Sequence, residues 1–314
     1  MNNRMRKLND YIKEELNNLK PKSELILYMK EVEENFNDDI GGTFSLPSSE
    51  RMSDYYSSLR IDNSTFSFFY LYYIYKKDII FPYTFERFFY NDNISFIINF
   101  YSKQDDSFLS ISELGKILLT NFACDDFRVG HFCYDKIIES IQSGKMADSL
   151  PMYTQPQKLG VLAIEMLASE KNQTIDWESA GIPIDPFYQR FCQEALYNEN
   201  HDIVTQWLIT LCDKHVEWSA LFGINSDEQS STGYEIDSII LLSWPFEYQA
   251  VKNFRAKHGL STPIIDHPLL KTPMAIEHRP DMVGWKQNRP AIYDQMIDDL
   301  ITINPELQVI NKLF

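Results

Sequence analysis

Three groupings of side chains in this chain have types and spacings that chemistry could use. Cys212 and His215 stand at i, i+3 in a helical pattern and would face the same way, as a bidentate metal pair does. They fall on the apolar side of that pattern, with Val204, Leu208 and Leu211, where a buried thiol and a hydrogen-bonded core histidine are the commoner outcome. Asp266 and His267 adjoin Pro268, between His258 at the end of a predicted helix and His278 eleven residues further on. That spacing supplies no third metal ligand, and an Asp before a Pro-restricted residue folds onto nearby backbone amides as turn chemistry. Glu165, Glu194, Glu217 and Glu247 lie in helical patterns, yet none has a His three residues later, as a di-iron bundle requires. The chain contains no G-x-S-x-G, H-E-x-x-H, G-x-x-x-x-G-K-[ST] or G-x-G-x-x-G. The reading is therefore non-enzymatic: no catalytic residue, cofactor or metal site is assigned.

The third grouping is acidic. NSDEQSSTGYEID, 225 to 237, carries Asp227, Glu228, Glu235 and Asp237 without a base, flanked by Trp218, Tyr234 and Trp244. Aromatic anchors beside carboxylates suit an interface that receives Arg and Lys, so Trp218, Asp227, Glu228, Tyr234, Glu235 and Asp237 are assigned to partner binding. EVEENFNDD at 31 to 39 adds five acids, and Asp294, Asp298 and Asp299 add three more near the C-terminus. The net charge is −16. This sign opposes nucleic acid and anionic membrane and favours a basic protein partner, while also serving solubility.

The elements that must position these residues read as helices throughout. Met5, Leu8, Ile12, Leu16 and Leu19 share one face, and Leu25, Met29, Val32 and Phe36 another, with Pro21 between them. A turn is expected at Gly41-Gly42, a helix capped by Ser48 or Ser49 after it, and further helices near 64–76, 84–101, 110–123, 130–143, 159–171, 186–199 and 201–223. A long element is expected over 234–259, closed by Gly259, then irregular chain over 260–288 and a last helix at 290–302. Strand alternation is absent, so the fold class is all-α, a multi-helix array or bundle in two halves. The Pro- and Gly-containing stretch 144 to 158 sets a boundary near 152, giving regions 1–152 and 153–314. The run FSFFYLYYIY at 66 to 75 is too short for a membrane span and reads as a buried helix. The first twenty residues lack an uninterrupted apolar core, and four scattered cysteines give no disulfide framework, so a reducing, cytoplasmic location is expected.

The block 186 to 274 combines PFYQRF, a helix ending H-x-x-W at His215 and Trp218, WPFEYQAVKNFRAKHGL and STPIIDHPLLKTPM. It resembles the C-terminal half of helical bacterial immunity proteins, antidotes to polymorphic toxins that include DNases, at Trp244, Phe246, Glu247, Ala250, Gly259, Leu260 and Pro268. The resemblance covers less than a third of the chain, and the WPFEY proline departs from other members. It implies an all-α, non-catalytic antidote that binds a cognate, basic toxin, and transfers no functional residue. The alternatives are a helical-repeat scaffold or peptide-binding regulator using Tyr56, Tyr70, Tyr73 and Tyr90, and an enzyme built on the Cys/His or Asp/His pairs.

Overall fold

The computed structural model describes residues 2–18, 22–77, 81–101, 110–144, 146, 155–221 and 233–314. The fold is all-α. Among the described residues the only β pairings are two isolated parallel bridges, Gln157 with Ile184 and Ser219 with Ile236. The chain divides into two compact units, one of Met1–Ile12 with Asp105–Arg279 and one of Lys13–Gln104 with Pro280–Phe314. This is not a division at 152: the helices on either side of 144–158 pack against each other within the first unit. Among the described residues, no helix is long and apolar enough to cross a membrane.

The helix α1 (Asn2–Asn17) buries Met5, Leu8, Ile12 and Leu16 as the 3.6-residue period requires; Leu19 and Pro21 lie outside the described residues. In the second unit, α2 (Lys22–Thr43) buries Leu25, Met29, Phe36 and Ile40 and runs straight through Gly41 and Gly42, where a turn was expected. The next helix, α3 (Ser48–Lys76), is continuous where two were expected, and its N-cap is Pro47, without a side-chain cap bond.

Polar residues in the middle of α3 look like a break in sequence. They are instead bonded across to α4 (Thr84–Tyr101), which is buried on nearly all sides. The Arg87 guanidinium donates from Nε and Nη2 to the two oxygens of Asp62, each at 2.8 Å. Its flat face lies 3.9 Å from the centre of the Phe66 ring and 4.8 Å from that of Phe36. Asn91 donates to Asp62 at 2.6 Å and accepts from the Tyr293 hydroxyl at 2.8 Å, while Arg60 and Asn63 both donate to Asp92. Ionic groups buried this deeply add little net stability, but a one-residue slip of α3 against α4 would strand them, so they fix register. The unit is completed by α11 (Met282–Asn288), in a stretch expected to be irregular, by α12 (Ile292–Ile303) and by a 3-10 segment Pro305–Leu313. On α12, Asp299 receives both Arg51 and the Tyr55 hydroxyl at 2.8 Å.

The first unit is built around α5 (Ile111–Ala123) and α7 (Leu159–Glu170), whose residues are buried on almost every side. Ser110 caps α5 by accepting from the Glu113 amide, the S-x-x-E arrangement of a capping box. The two helices touch backbone to backbone. A Cβ on Gly115 would stand 2.2 Å from the Gly160 nitrogen, and one on Gly160 would stand 2.4 Å from the Ile111 carbonyl oxygen. Around this crossing lie α6 (Arg128–Gln142), α8 (Pro186–Glu194), α9 (His201–Glu217) and α10 (Phe246–Lys257). The two Asn253 amide hydrogens satisfy the last carbonyls of α5, at Phe122 and Ala123. The long element expected from 234 is helical only from Phe246, because Trp244-Pro245 interrupts the ladder and 238–243 form turns. As expected, Asn200 caps α9, Pro186 opens α8 and Gly259, at φ +73°, closes α10.

Gly115→Ala and Gly160→Ala are each expected to lower stability by about 3 kcal/mol or to prevent folding, since backbone would have to move aside at both, together with the Ile111 side chain at Gly160. Gly41→Ala, which meets nothing within 4 Å inside a helix, is expected to raise stability by roughly 0.5–1 kcal/mol. Urea denaturation of the three variants checks both signs.

Candidate functional site

The crossing of α5 and α7 places two lysines beside the acidic segment that sequence singled out. Lys116 follows Gly115, and Lys158 and Leu159 open α7. No side chain of the helix's own N-cap bonds its free first-turn amides. Two amides at this terminus are taken by Glu235, whose Oε1 accepts from Lys158 N at 2.9 Å and Oε2 from Leu159 N at 2.8 Å. Lys158 Nζ sits 3.8 Å from the same carboxylate, donates to the carbonyls of Pro156 and Gly233, and lies 4.1 Å from the centre of the Trp218 ring. Lys116 Nζ donates to Asp237 at 2.6 Å and pairs with Glu113. From α1, Arg4 donates to the carbonyls of Val216 and Ser219 and covers the Tyr234 ring at 5.2 Å.

Of the six residues assigned to partner binding, Asp227 and Glu228 lie outside the described residues. Trp218, the C-cap of α9, and Tyr234 meet edge to face at 6.1 Å and are partly exposed. Among the described residues the buried Trp218 indole N–H has no hydrogen-bond partner. The Asp237 side chain is 43% exposed and already paired with Lys116. Glu235 departs from the expected solvent-facing carboxylate: only 6% exposed, it caps a helix from a distance of 77 residues along the chain. Sequence reading missed Lys116, Lys158 and Arg4 because their partners are remote in the chain. The nearest signal was Lys158 standing directly before the apolar run LGVLAIEML without a capping Ser, Thr, Asp or Asn.

Burial pushes the Glu235 carboxyl up to about 7, against the pull of Lys158 and the two amides, and burial also lowers Lys158. Lys116, although burial opposes its charge, is held above the ordinary lysine range by Glu113 and Asp237.

The other chemical groupings are held by internal bonds. His215 Nδ1 meets Glu247 Oε2 at 2.7 Å and its Nε2 faces the Leu242 carbonyl at 3.2 Å, inside the core. Burial raises the thiol of neighbouring Cys212 well above its usual range. His267 caps the 3-10 turn Pro268–Lys271 by accepting from the Leu269 amide at 3.2 Å, which makes Nε2 the protonated nitrogen facing Asp213 at 3.1 Å. The turn is thus made by the histidine and not, as expected, by Asp266, which points outward and pairs with Lys271. Burial pushes His278 down to about 4, so its ring is neutral against Trp244. At the end of α10, Lys257 and His258 meet Glu170 at 2.6 and 2.9 Å, and His131 joins them at 2.7 Å. Among the described residues no group of three or more His, Cys, Asp or Glu is arranged to hold a metal ion.

Compared with protein-family models, curated proteins and solved structures, the chain matches none.

The Glu235 shift has a defined stability signature. Its folded value of about 7 lies above the ordinary 4.5, so the folded state keeps a proton that the unfolded chain has lost between these values. Its contribution is fully present below pH 4.5 and declines as pH rises through about 7, by at most about 3 kcal/mol. Urea titrations of wild type and Glu235→Gln across this window should show the wild type losing ground to the variant as pH rises; parallel curves would contradict the assignment.

Proposed function

We propose that the protein is a non-catalytic immunity protein that binds and neutralises a cognate, basic toxin such as a nuclease, occluding its active site or substrate groove. The observation that carries this reading is the placement of negative charge on α2. Glu31, Glu33, Glu34, Asp38 and Asp39 are all exposed between the middle of the helix and its C-terminal end, and its last turn contains no base. Asp38 and Asp39, close to the C-terminal end, oppose the helix dipole, and the pairs Glu31/Glu34 and Glu34/Asp38 repel at helical spacing, so the helix bears a local electrostatic cost. A cationic partner would relieve it. The net charge of −16 acts in the same direction on encounter rates.

The groups on which the enzyme alternative would draw are engaged inside the fold. Each of the six histidines is held by an internal hydrogen bond. The four cysteines are buried thiols. For the peptide-binding alternative, Tyr90 is fully buried against Trp285, Tyr293 and Phe314, which removes one of its four lining tyrosines.

Native co-purification at low and high salt is expected to yield a stoichiometric basic protein that is lethal when expressed alone. With that protein in hand, Glu31→Lys, Glu34→Lys and Asp38→Lys combined should raise thermal stability while slowing association at least tenfold. Glu33 is left intact because it lies 3.8 Å from Arg87. Unchanged association would remove α2 from the interface, and no co-purifying partner at either salt would remove the antidote reading.

A further inference from the structure

Within the unit built on α5 to α10, three depressions run into one another beside the chain from Gln173 to Gln189. The first, about 380 Å³, lies against Tyr134 on α6 and shares Ile138 and Gln142 with a second of about 160 Å³. The second shares Ile175 and Asp176 with a third of about 650 Å³, walled by Trp177, Ile182, Pro183, Ile184 and Gln189. Four carboxylates line this path, Asp135, Glu139, Asp176 and Glu178, and among the described lining residues there is no Lys, Arg or His, although Lys171 lies over the Tyr134 ring at 4.8 Å beside the first depression.

Behind the largest depression stands Glu165, 6% exposed. Trp177 Nε1 and Gln189 Nε2, both from the wall, donate to its Oε1 at 2.8 and 3.1 Å. Among the described residues nothing donates to its Oε2. Other buried carboxylates each have a basic group at hand: Asp62 has Arg87, Glu235 has Lys158 and Glu247 has His215. Among the described residues Glu165 has two neutral donors and no cation, and burial raises its carboxyl. A buried carboxylate with no counter-charge among the described residues, beside a depression whose charged lining residues are Asp176 and Glu178, is complementary to a cation on an apolar stem.

We propose that this groove receives a cationic segment of a protein partner, with an arginine or lysine side chain set against Glu165 through the wall formed by Trp177 and Gln189. The proposal rests on the basic-partner reading above and adds a second contact to it. The apolar stretch Ile182–Ile184 packs the side-chain stem, and the rim carboxylates Asp176 and Glu178 take the flanking charge.

The chain has five tryptophans, so 5-fluorotryptophan labelling of the full-length protein gives one reporter in the groove and four controls elsewhere. N-acetyl-arginine amide is the probe, and its citrulline isostere the neutral control. The Trp177 resonance, identified by Trp177→Phe, is expected to move saturably with the arginine probe and not with citrulline. Glu165→Gln should weaken that binding at least tenfold, and Asp176→Asn with Glu178→Gln, which leave the wall hydrogen bonds intact, about threefold. Equal response to both probes, all five resonances moving together, or unaltered affinity in both variants would overturn the proposal. The antidote reading is scored separately: a toxin captured with equal affinity by wild type and Glu165→Gln removes the groove alone, whereas arginine binding without any toxin partner removes the antidote alone.

Discussion

The backbone contact between Gly115 and Gly160 is the constraint on which the larger unit depends. Helices normally pack 8–10 Å apart because side chains separate them, and two facing glycines let α5 and α7 come closer. That approach brings Lys116, one residue after the contact, to Asp237. It also brings the open N-terminus of α7 to Glu235. A Cβ at either glycine would have to displace backbone, so the contact cannot relax by rotating a side chain.

Each unit sets buried charges against one another. In the unit containing α3 and α4 the device is Arg87 on Asp62, enclosed by Phe36, Phe66 and Tyr293. In the unit containing α5 and α7 it is Glu235 on two amides with Lys158 alongside. Neither arrangement is a strong net source of stability, since desolvation offsets most of the attraction. Their effect is on specificity, because any shifted packing would leave an ion buried and unpaired. Glu165 breaks this pattern: it is buried to the same degree and, among the described residues, has no cation beside it.

The helical character of the chain was legible in its periodicity, and caps such as Asn200, Pro186 and Gly259 were legible because they act within a few residues. Misplaced boundaries share one cause. Asp62 and Asn63 look like a loop until Arg87 and Asp92 are seen across from them, and Gly41-Gly42 looks like a turn although nothing in α2 requires one. The run before Phe246 looks helical until the weight of Pro245 is counted. Of the candidate interface, Trp218, Tyr234 and Asp237 were legible as a local aromatic and acidic cluster. The inward role of Glu235 was not, because its partners lie more than seventy residues away and a buried cap has the same sequence signature as an exposed acid.

Native-state amide hydrogen exchange tests most directly whether the glycine crossing and the Glu235 cap hold this unit together. If they do, the amides of Lys158 and Leu159, the core of α5 from 117 to 120 and that of α7 from 162 to 166 will exchange only through one shared opening, at the free energy of global unfolding. Exchange of Lys158, Leu159 and α7 through a separate low-energy opening, with α5 still protected, would contradict it.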